Sequence, residues 1–401
     1  LYQSSTDRTI STNIDIEGKF AAVGGKHDFL MGLDYLNTYN DYYFGNTAAM
    51  YPIDIYNPIY GTVPPFAYWD ARIGSDFKFH SSVLSRQKGF YVQDHVTWFD
   101  RLHLLVGARY DVADVTNGTI FSFGGDYSAT KDGAIAKRLS ARTHIDTAWS
   151  PRVGAVFDIA PGLSAYASYS RSFGLNNGFT ASGQPLGPQR GLQWEAGLKA
   201  EPLPGLSATL AVFQITKSGV PTRDFSSPVA VKLAGLQRSR GIELDVIGRV
   251  TDRLSIVANY AHIDAKVISD DLKDPLNPFG SGLLYNHLGN VPRHSGKIFV
   301  TYDFGESGIG WRVGGGVTAS TRAWGDIQNT FLIPGWARLD GFASYSTLLE
   351  GHKLTAQLNL RNINNAQYFV GVDNYLAAFG PPLRSIPAAP FTATGTVRVE
   401  F

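Results

Sequence analysis

The chain has 401 residues, 35 basic against 34 acidic for a net charge of +1, with 44% apolar and 17% charged residues. Soluble globular chains average about 25% charged residues. No run reaches the 18 or so apolar residues of a membrane-spanning helix, so a helical membrane protein is excluded. Near-neutral charge leaves no nucleic-acid footprint. The absence of Cys excludes a disulfide scaffold, a thiolate metal site and a cysteine nucleophile. Forty-three Gly, 24 Phe and 20 Tyr point to β structure. The chain opens at Leu1 with no Met, basic n-region or apolar h-region, so an amino-terminal cut is expected.

Period-two alternation begins early. Ile14, Ile16, Gly18 and Phe20 alternate with Asn13, Asp15, Glu17 and Lys19. From Leu102 to Val112 the even positions are Leu, Leu, Val, Ala, Tyr and Val, while the odd ones include His103, Arg109 and Asp111. The split returns at Trp194, Ala196 and Leu198 against Gln193, Glu195 and Lys199, and at Ile242, Leu244 and Val246 against Glu243 and Asp245. It closes the chain at Val397, Val399 and Phe401 against Thr396, Arg398 and Glu400. Such alternation marks strands with one apolar face.

The spacing predicts strands of about 10 to 14 residues, longer than the 5 or 6 usual in soluble sheets and suited to crossing a bilayer at a tilt. Connections alternate in length. Short ones fall at Val23–Lys26, Phe99–Arg101, Ala160–Gly162, Pro202–Gly205, Val250–Arg253 and Leu349–His352. Long ones are expected near residues 42 to 85, 116 to 140, 175 to 190, 217 to 233, 268 to 291, 324 to 332 and 364 to 385. Short turns on one side and long loops on the other describe a transmembrane antiparallel β-barrel rather than a soluble sandwich or propeller. Aromatics such as Tyr91, Trp98, Tyr166, Tyr169, Trp336 and Tyr345 gather near strand ends, where interface girdles lie. The terminal Phe401 resembles the signal by which outer-membrane proteins engage their assembly machinery. About fifteen strands are expected, the first near residues 8 to 22 and the last near 387 to 401. Bacterial barrels have even strand numbers, so earlier strands are expected to be missing.

The segments Phe90-Tyr91-Val92-Gln93-Asp94-His95 and Val106-Gly107-Ala108-Arg109-Tyr110-Asp111 resemble paired strands of TonB-dependent siderophore receptors. Five more segments resemble that family in order: Tyr166–Phe173, Trp194–Lys199, Arg238–Leu244, Val291–His294 and Leu360–Tyr368. Asp54–Gly61 resembles the ferric hydroxamate, ferrichrome-type branch. The resemblance implies a barrel of about 22 strands with a plugged lumen. Residues 1–401 would then be the carboxy-terminal part of the barrel domain, with the plug and first strands absent. It further implies a bacterial outer-membrane location, a ferric siderophore as cargo, and TonB as a partner through the missing amino-terminal region. Outer-membrane lipid and lipopolysaccharide are expected neighbours, and a monomer the expected state.

A ferric siderophore is a bulky chelate best held by rigid amphipathic rings. By resemblance, Phe44 is the leading ligand-binding candidate, with Tyr43 beside it. Tyr56 lies in the largest loop, and Tyr375 and Phe379 in the last one, where the ferrichrome-type receptor has a disulfide-closed loop that this Cys-free chain lacks. No cofactor is expected, iron arriving only as the chelate. The nine His show no ligand spacing. No G-x-S-x-G or phosphate loop appears, so an enzyme is not expected. Arg109, Asp111, Glu195, Lys199, Arg240, Glu243 and Asp245 are read as lumen-facing charges. The alternatives are a passive porin-like channel, or a TonB-dependent receptor for a catecholate siderophore or cobalamin.

Overall fold

The computed structural model describes residues 2–46, 77–122, 127–141, 143–176, 186–223, 231–269, 282–305, 308–373 and 384–401. In chain order it has β1 (Tyr2–Ala22), β2 (Gly25–Asn46), β3 (Phe77–Trp98), β4 (Leu102–Ser122), helix α1 (Tyr127–Ser140), β5 (His144–Ala160), β6 (Leu163–Gly174) and β7 (Gln189–Leu203). There follow β8 (Leu206–Arg223), β9 (Val231–Arg249), β10 (Leu254–Ser269), β11 (His294–Asp303) and β12 (Gly310–Ser320). The last third holds β13 (Ala323–Trp324), β14 (Leu332–Ile333), β15 (Trp336–Leu349), β16 (His352–Arg361), β17 (Phe369–Asp373), β18 (Arg384–Pro387) and β19 (Thr392–Glu400).

Fifteen strands form one sheet in the order β1 to β12, then β15, β16 and β19. This matches the expected strand number. The pairs β13–β14 and β17–β18 are separate two-stranded hairpins within long loops. The chain therefore zigzags, each strand beside its predecessor, which is what hairpins with very short turns impose. Val23 and Gly24 have φ of 49° and 74°, Phe99 and Asp100 of 55° and 51°, and Glu350 and Gly351 of 52° and 84°. Positive φ at both central residues makes these turns twist with their strands.

The two faces differ in chemistry. On β1, Ile10, Ile14, Ile16 and Phe20 are exposed; so are Trp194 and Leu198 on β7, Leu210 and Val212 on β8, and Ile242 and Leu244 on β9. On β1, β7 and β9 they alternate with polar residues or Gly, and on β8 Ala211 separates the two. In a soluble protein this apolar face would be the core; here it faces outward, as it must against hydrocarbon. No helix among the described residues is long and apolar enough to cross a membrane.

Three expectations are corrected. Most strands up to β10 are longer than 10 to 14 residues: β1 to β4 span 21 or 22 each, and β8 and β9 span 18 and 19, while β6 keeps to 12. Backbone pairing continues past the apolar band, so β8 and β9 take up both ends of the expected 217 to 233 loop. Within the expected 116 to 140 loop, β4 runs on to Ser122 and residues 127 to 140 form α1, whose last turn carries Lys137 and Arg138, favourable for the helix dipole. Arg240 does not share a face with Glu243 and Asp245: in the β9–β10 register it belongs to the series of Ile242 and Leu244.

The chain divides into two compact units. Unit 1 comprises residues 1–19, 28–93 and 107–150; unit 2 comprises 20–27, 94–106 and 151–401.

Candidate ligand-facing surface

In unit 1 the polar face carries a connected set of charges. Arg109 on β4 donates from Nε to Asp111 (2.7 Å) and from Nη2 to Asp34 on β2 (2.9 Å), while Nη1 donates to the other Asp34 oxygen. Its guanidinium lies 5.7 Å from the Tyr91 ring centroid, and the Tyr91 hydroxyl donates to Asp15 on β1. Four strands thus meet through side chains. The passage from β4 to β2 crosses β3 at Gly89, where a Cβ would collide with the Arg109 guanidinium and Asp34. Tyr91, Arg109 and Asp111 are the positions that carry the family resemblance in this stretch, and they serve to fix the wall.

Nearer the long-loop end of unit 1, Tyr43 is buried, with 2% exposure, and its ring is tilted against His80 at 5.6 Å. His80 Nε2 lies 3.0 Å from Asp41, and Lys131 of α1 lies 3.9 Å from the second Asp41 oxygen. Phe44 is half-buried, its backbone one residue on in the same strand. The structure thus brings Tyr43 against His80, which pairs with Asp41, and Asp41 in turn faces Lys131 of α1, a helix that sequence reasoning missed. Tyr56, Tyr375 and Phe379 lie outside the described residues.

Unit 2 has a networked polar series of its own. The Tyr166 hydroxyl donates to Glu195 (2.8 Å), Gln193 donates to the other Glu195 oxygen (3.0 Å), and Lys199 lies 5.1 Å from the Tyr166 ring. Asp245, Asn259, Lys297, Thr318 and Arg338 follow one another in register from β9 to β15. Above this row lies a hollow of about 390 Å³, lined among others by Asn259, Lys297, Trp336 and Phe369.

Asn290 lines that hollow, and Asn362 fixes the segment that follows β16. Asn290 donates to Val372 O and accepts from Val372 N, both at 2.9 Å, so its amide stands in for a neighbouring strand and holds β17. Asn362 is fully buried with φ of 56°. It donates to Ala366 O and Ala389 O (3.0 Å each), accepts from Ala366 N (2.9 Å), and its own N–H donates to Asp340 (2.9 Å). Asp340 in turn receives Arg338 (2.8 Å), which also donates to Tyr368 (3.1 Å), and Tyr368 stacks on Trp336 at 4.1 Å. The Leu360–Tyr368 segment is therefore a clamp at the base of the last loop. Among the described residues no group of three His, Asp or Glu side chains is placed to hold a metal ion.

The long zigzag of antiparallel strands is shared with known proteins. A family model described as TonB dependent receptor-like, beta-barrel, matches residues 1–363. The metal-pseudopaline receptor CntO of Pseudomonas aeruginosa is 30% identical over 382 residues, 92% of this chain and 49% of the relative. The ferrioxamine B receptor of Salmonella typhimurium is 26% identical over 392 residues, 96% of this chain and 50% of the relative. The ferrichrome outer membrane transporter/phage receptor of Escherichia coli is 25% identical, with 95% and 48% covered. The chain thus spans about half the length of these relatives. Among solved structures, the ferric preacinetobactin receptor BauA of Acinetobacter baumannii superposes with a TM-score of 0.74 at 23% identity, over 100% of this chain and 55% of that one. The ferric-catecholate import receptor Fiu of Escherichia coli K12 gives 0.77 at 16% identity, over the same shares. The chain belongs to the TonB-dependent receptor-like β-barrel family and is a wall of antiparallel strands in the bacterial outer membrane.

Proposed function

We propose that the chain is the barrel wall of a TonB-dependent receptor that imports a metal-loaded siderophore, and that the cargo is a ferric hydroxamate. The loops and a plug would bind the chelate, and TonB would energise its release inward. The observation that carries this reading is the family match over residues 1–363, together with relatives named for ferrioxamine B and ferrichrome along nearly the whole chain. The wall chemistry agrees with it. Arg109, Asp34, Tyr91 and Asp15 are committed to one another, as a wall supporting a plug requires, rather than arrayed singly along an open pore. A second reading, a metal chelate of another class, is supported by the metal-pseudopaline receptor at 30% identity.

Phe44, Tyr43, Tyr56, Tyr375 and Phe379 are proposed as ligand contacts. Phe44 is the best placed of the described ones, being half-buried where Tyr43 is enclosed. The test is binding of ferrioxamine B, ferrichrome and an iron-loaded catecholate to the full-length protein, read by intrinsic fluorescence, with growth rescue of an iron-starved strain beside it. Preference for the hydroxamates by tenfold or more, and weakening of their binding by Phe44→Ala, is expected. Preference for a catecholate would overturn the hydroxamate assignment. Unchanged affinity of the Phe44→Ala variant would remove that residue from the site.

A further inference from the structure

We infer that His262 on β10 and His294 on β11 form a chelating pair for a transition-metal ion of the Cu2+ or Ni2+ type, on the outward side of the wall and apart from the chelated cargo. The two residues are partners in the β10–β11 register, and His262 also stands opposite Ile242 of the outward series. The ladder decides how near they come. Ile263 N–H donates to Arg293 O at 2.9 Å, while His294 turns both its N–H and its C=O to Thr321 on the other side. Residues 263 and 293 are therefore the hydrogen-bonded pair, and 262 and 294 the non-hydrogen-bonded pair beside it, where facing side chains are closest. The imidazole centroids are 4.6 Å apart, with the rings tilted by 44°.

Two imidazoles bound to one ion, with metal–nitrogen bonds of about 2.0 to 2.1 Å and an angle of about 90° between them, have centroids about 4.5 Å apart; a tetrahedral angle spreads them to about 5.2 Å. The observed spacing suits the tetragonal preference of Cu2+ and Ni2+ better than the tetrahedral one of Zn2+. His262 Nδ1 is enclosed and has no hydrogen-bond partner among the described residues, a costly state for a buried nitrogen unless something binds there. The Tyr260 hydroxyl lies 2.8 Å from His294 Nδ1, which fixes that ring and leaves Nε2 for the ion. With Nε2 ligated, Nδ1 carries the ring proton and donates to the Tyr260 oxygen, the support that ligating imidazoles generally have. The charges beside His262 are Arg240, Lys266 and Arg293 around Asp264. Three cations to one carboxylate repel an ion held by charge alone. Mg2+ and Ca2+, which need oxygen ligands, are therefore excluded, whereas Cu2+ and Ni2+ bind through imidazole donation. No third His, Asp or Glu converges among the described residues, so water completes the coordination sphere, reaching it past the exposed His294.

The test uses untagged full-length protein, purified in detergent, stripped of metal with a chelator and titrated with CuCl2, NiCl2 and MgCl2. Cu2+ should give a tetragonal electron paramagnetic resonance spectrum split by two nitrogens; Ni2+ should bind more weakly, and Mg2+ should not bind. Support of a ligating imidazole is worth about 10- to 100-fold in affinity, so Tyr260→Phe should weaken Cu2+ binding by about tenfold, and His262→Asn or His294→Asn by more than that. Ni2+ should also shield His294, but not the exposed His352, from diethyl pyrocarbonate, as read by mass spectrometry. Cu2+ binding that neither His substitution alters overturns the proposal, as does Mg2+ binding as strong as that of Ni2+. Where a variant fails to assemble, shielding on the unaltered protein decides the matter: equal modification of His294 with and without Ni2+ refutes the pair.

Discussion

Arg109 reaches Asp34 across an intervening strand, 2.9 Å from Nη2 to the carboxylate, at the one point where that strand carries Gly89. The contact ties β2 to β4 directly and does not rely on the ladder between them. A methyl group at Gly89 would meet the mobile end of the guanidinium, so Gly89→Ala should displace Arg109 rather than prevent folding. Because both substitutions remove one interaction, the cost of Asp34→Asn should fall by about 0.5 to 1.5 kcal/mol in the G89A background. A double-mutant cycle from thermal unfolding in detergent measures this, and additive effects would refute the bridge.

Asn362 is satisfied on every side and fully buried. Replacing it with Ala strands the Ala366 N–H and two carbonyls, and places a Cβ-bearing residue without the Asn tolerance for left-handed backbone at φ of 56°. A loss of about 2 to 4 kcal/mol is expected. Limited proteolysis should then cut the last long loop well before the rest of the chain unfolds. Equal cutting rates in the two proteins would show that the clamp is dispensable.

Leu244 and Asp245 are neighbours on β9 with opposite surroundings. Leu244→Lys puts a charge on the lipid side and should cost about 2 to 4 kcal/mol, depending on depth. Asp245→Lys should change stability by less than about 1 kcal/mol, because its side of the wall is wet. The measurement is folded yield and denaturant midpoint in lipid vesicles. Equal penalties would mean that the two faces are not chemically distinct.

His287 sits in the long loop after β10, and burial holds its pKa below the usual imidazole value, with Lys266 and Arg293 adding to the effect and Asp264 at 4.0 Å opposing it. A depressed folded-state pKa means that the neutral ring is favoured in the docked loop. The docking contribution is therefore complete above about pH 6.5 and declines as pH falls from there toward the lowered folded value. Hydrogen exchange at residues 283 to 290 should accelerate between pH 7.5 and 5, corrected for intrinsic rates, and His287→Gln should flatten the response. An unchanged profile in the variant would assign the pH dependence elsewhere.

Much of the wall was readable from residue order alone. Alternation at Ile14 to Phe20 and at Leu102 to Val112 marked strands, and Gly24 and Gly351 marked the tight turns, because both signals are local. Strand length is not legible from alternation, because backbone pairing continues in β8 and β9 into residues with no apolar period. The charge of Arg240 suggests the wet face, but parity decides: it is two residues from Ile242 and so shares its side. Helix α1 had basic residues in its last turn but no acidic residue in its first turn, and its flanks argued for loop. For the site, Tyr43 is legible as an aromatic at a strand end, whereas its contact with His80, and that of Asp41 with Lys131, join residues distant in sequence.

The tight two-residue reversals at one border of the sheet leave no slack: Val23 and Gly24, or Glu350 and Gly351, are already the minimum that can join two strands. Insertions there would have to unzip a ladder, while the opposite border accepts added length freely. Change of length in such a scaffold is thus confined to a single margin, and its history should be written in indels on that margin alone.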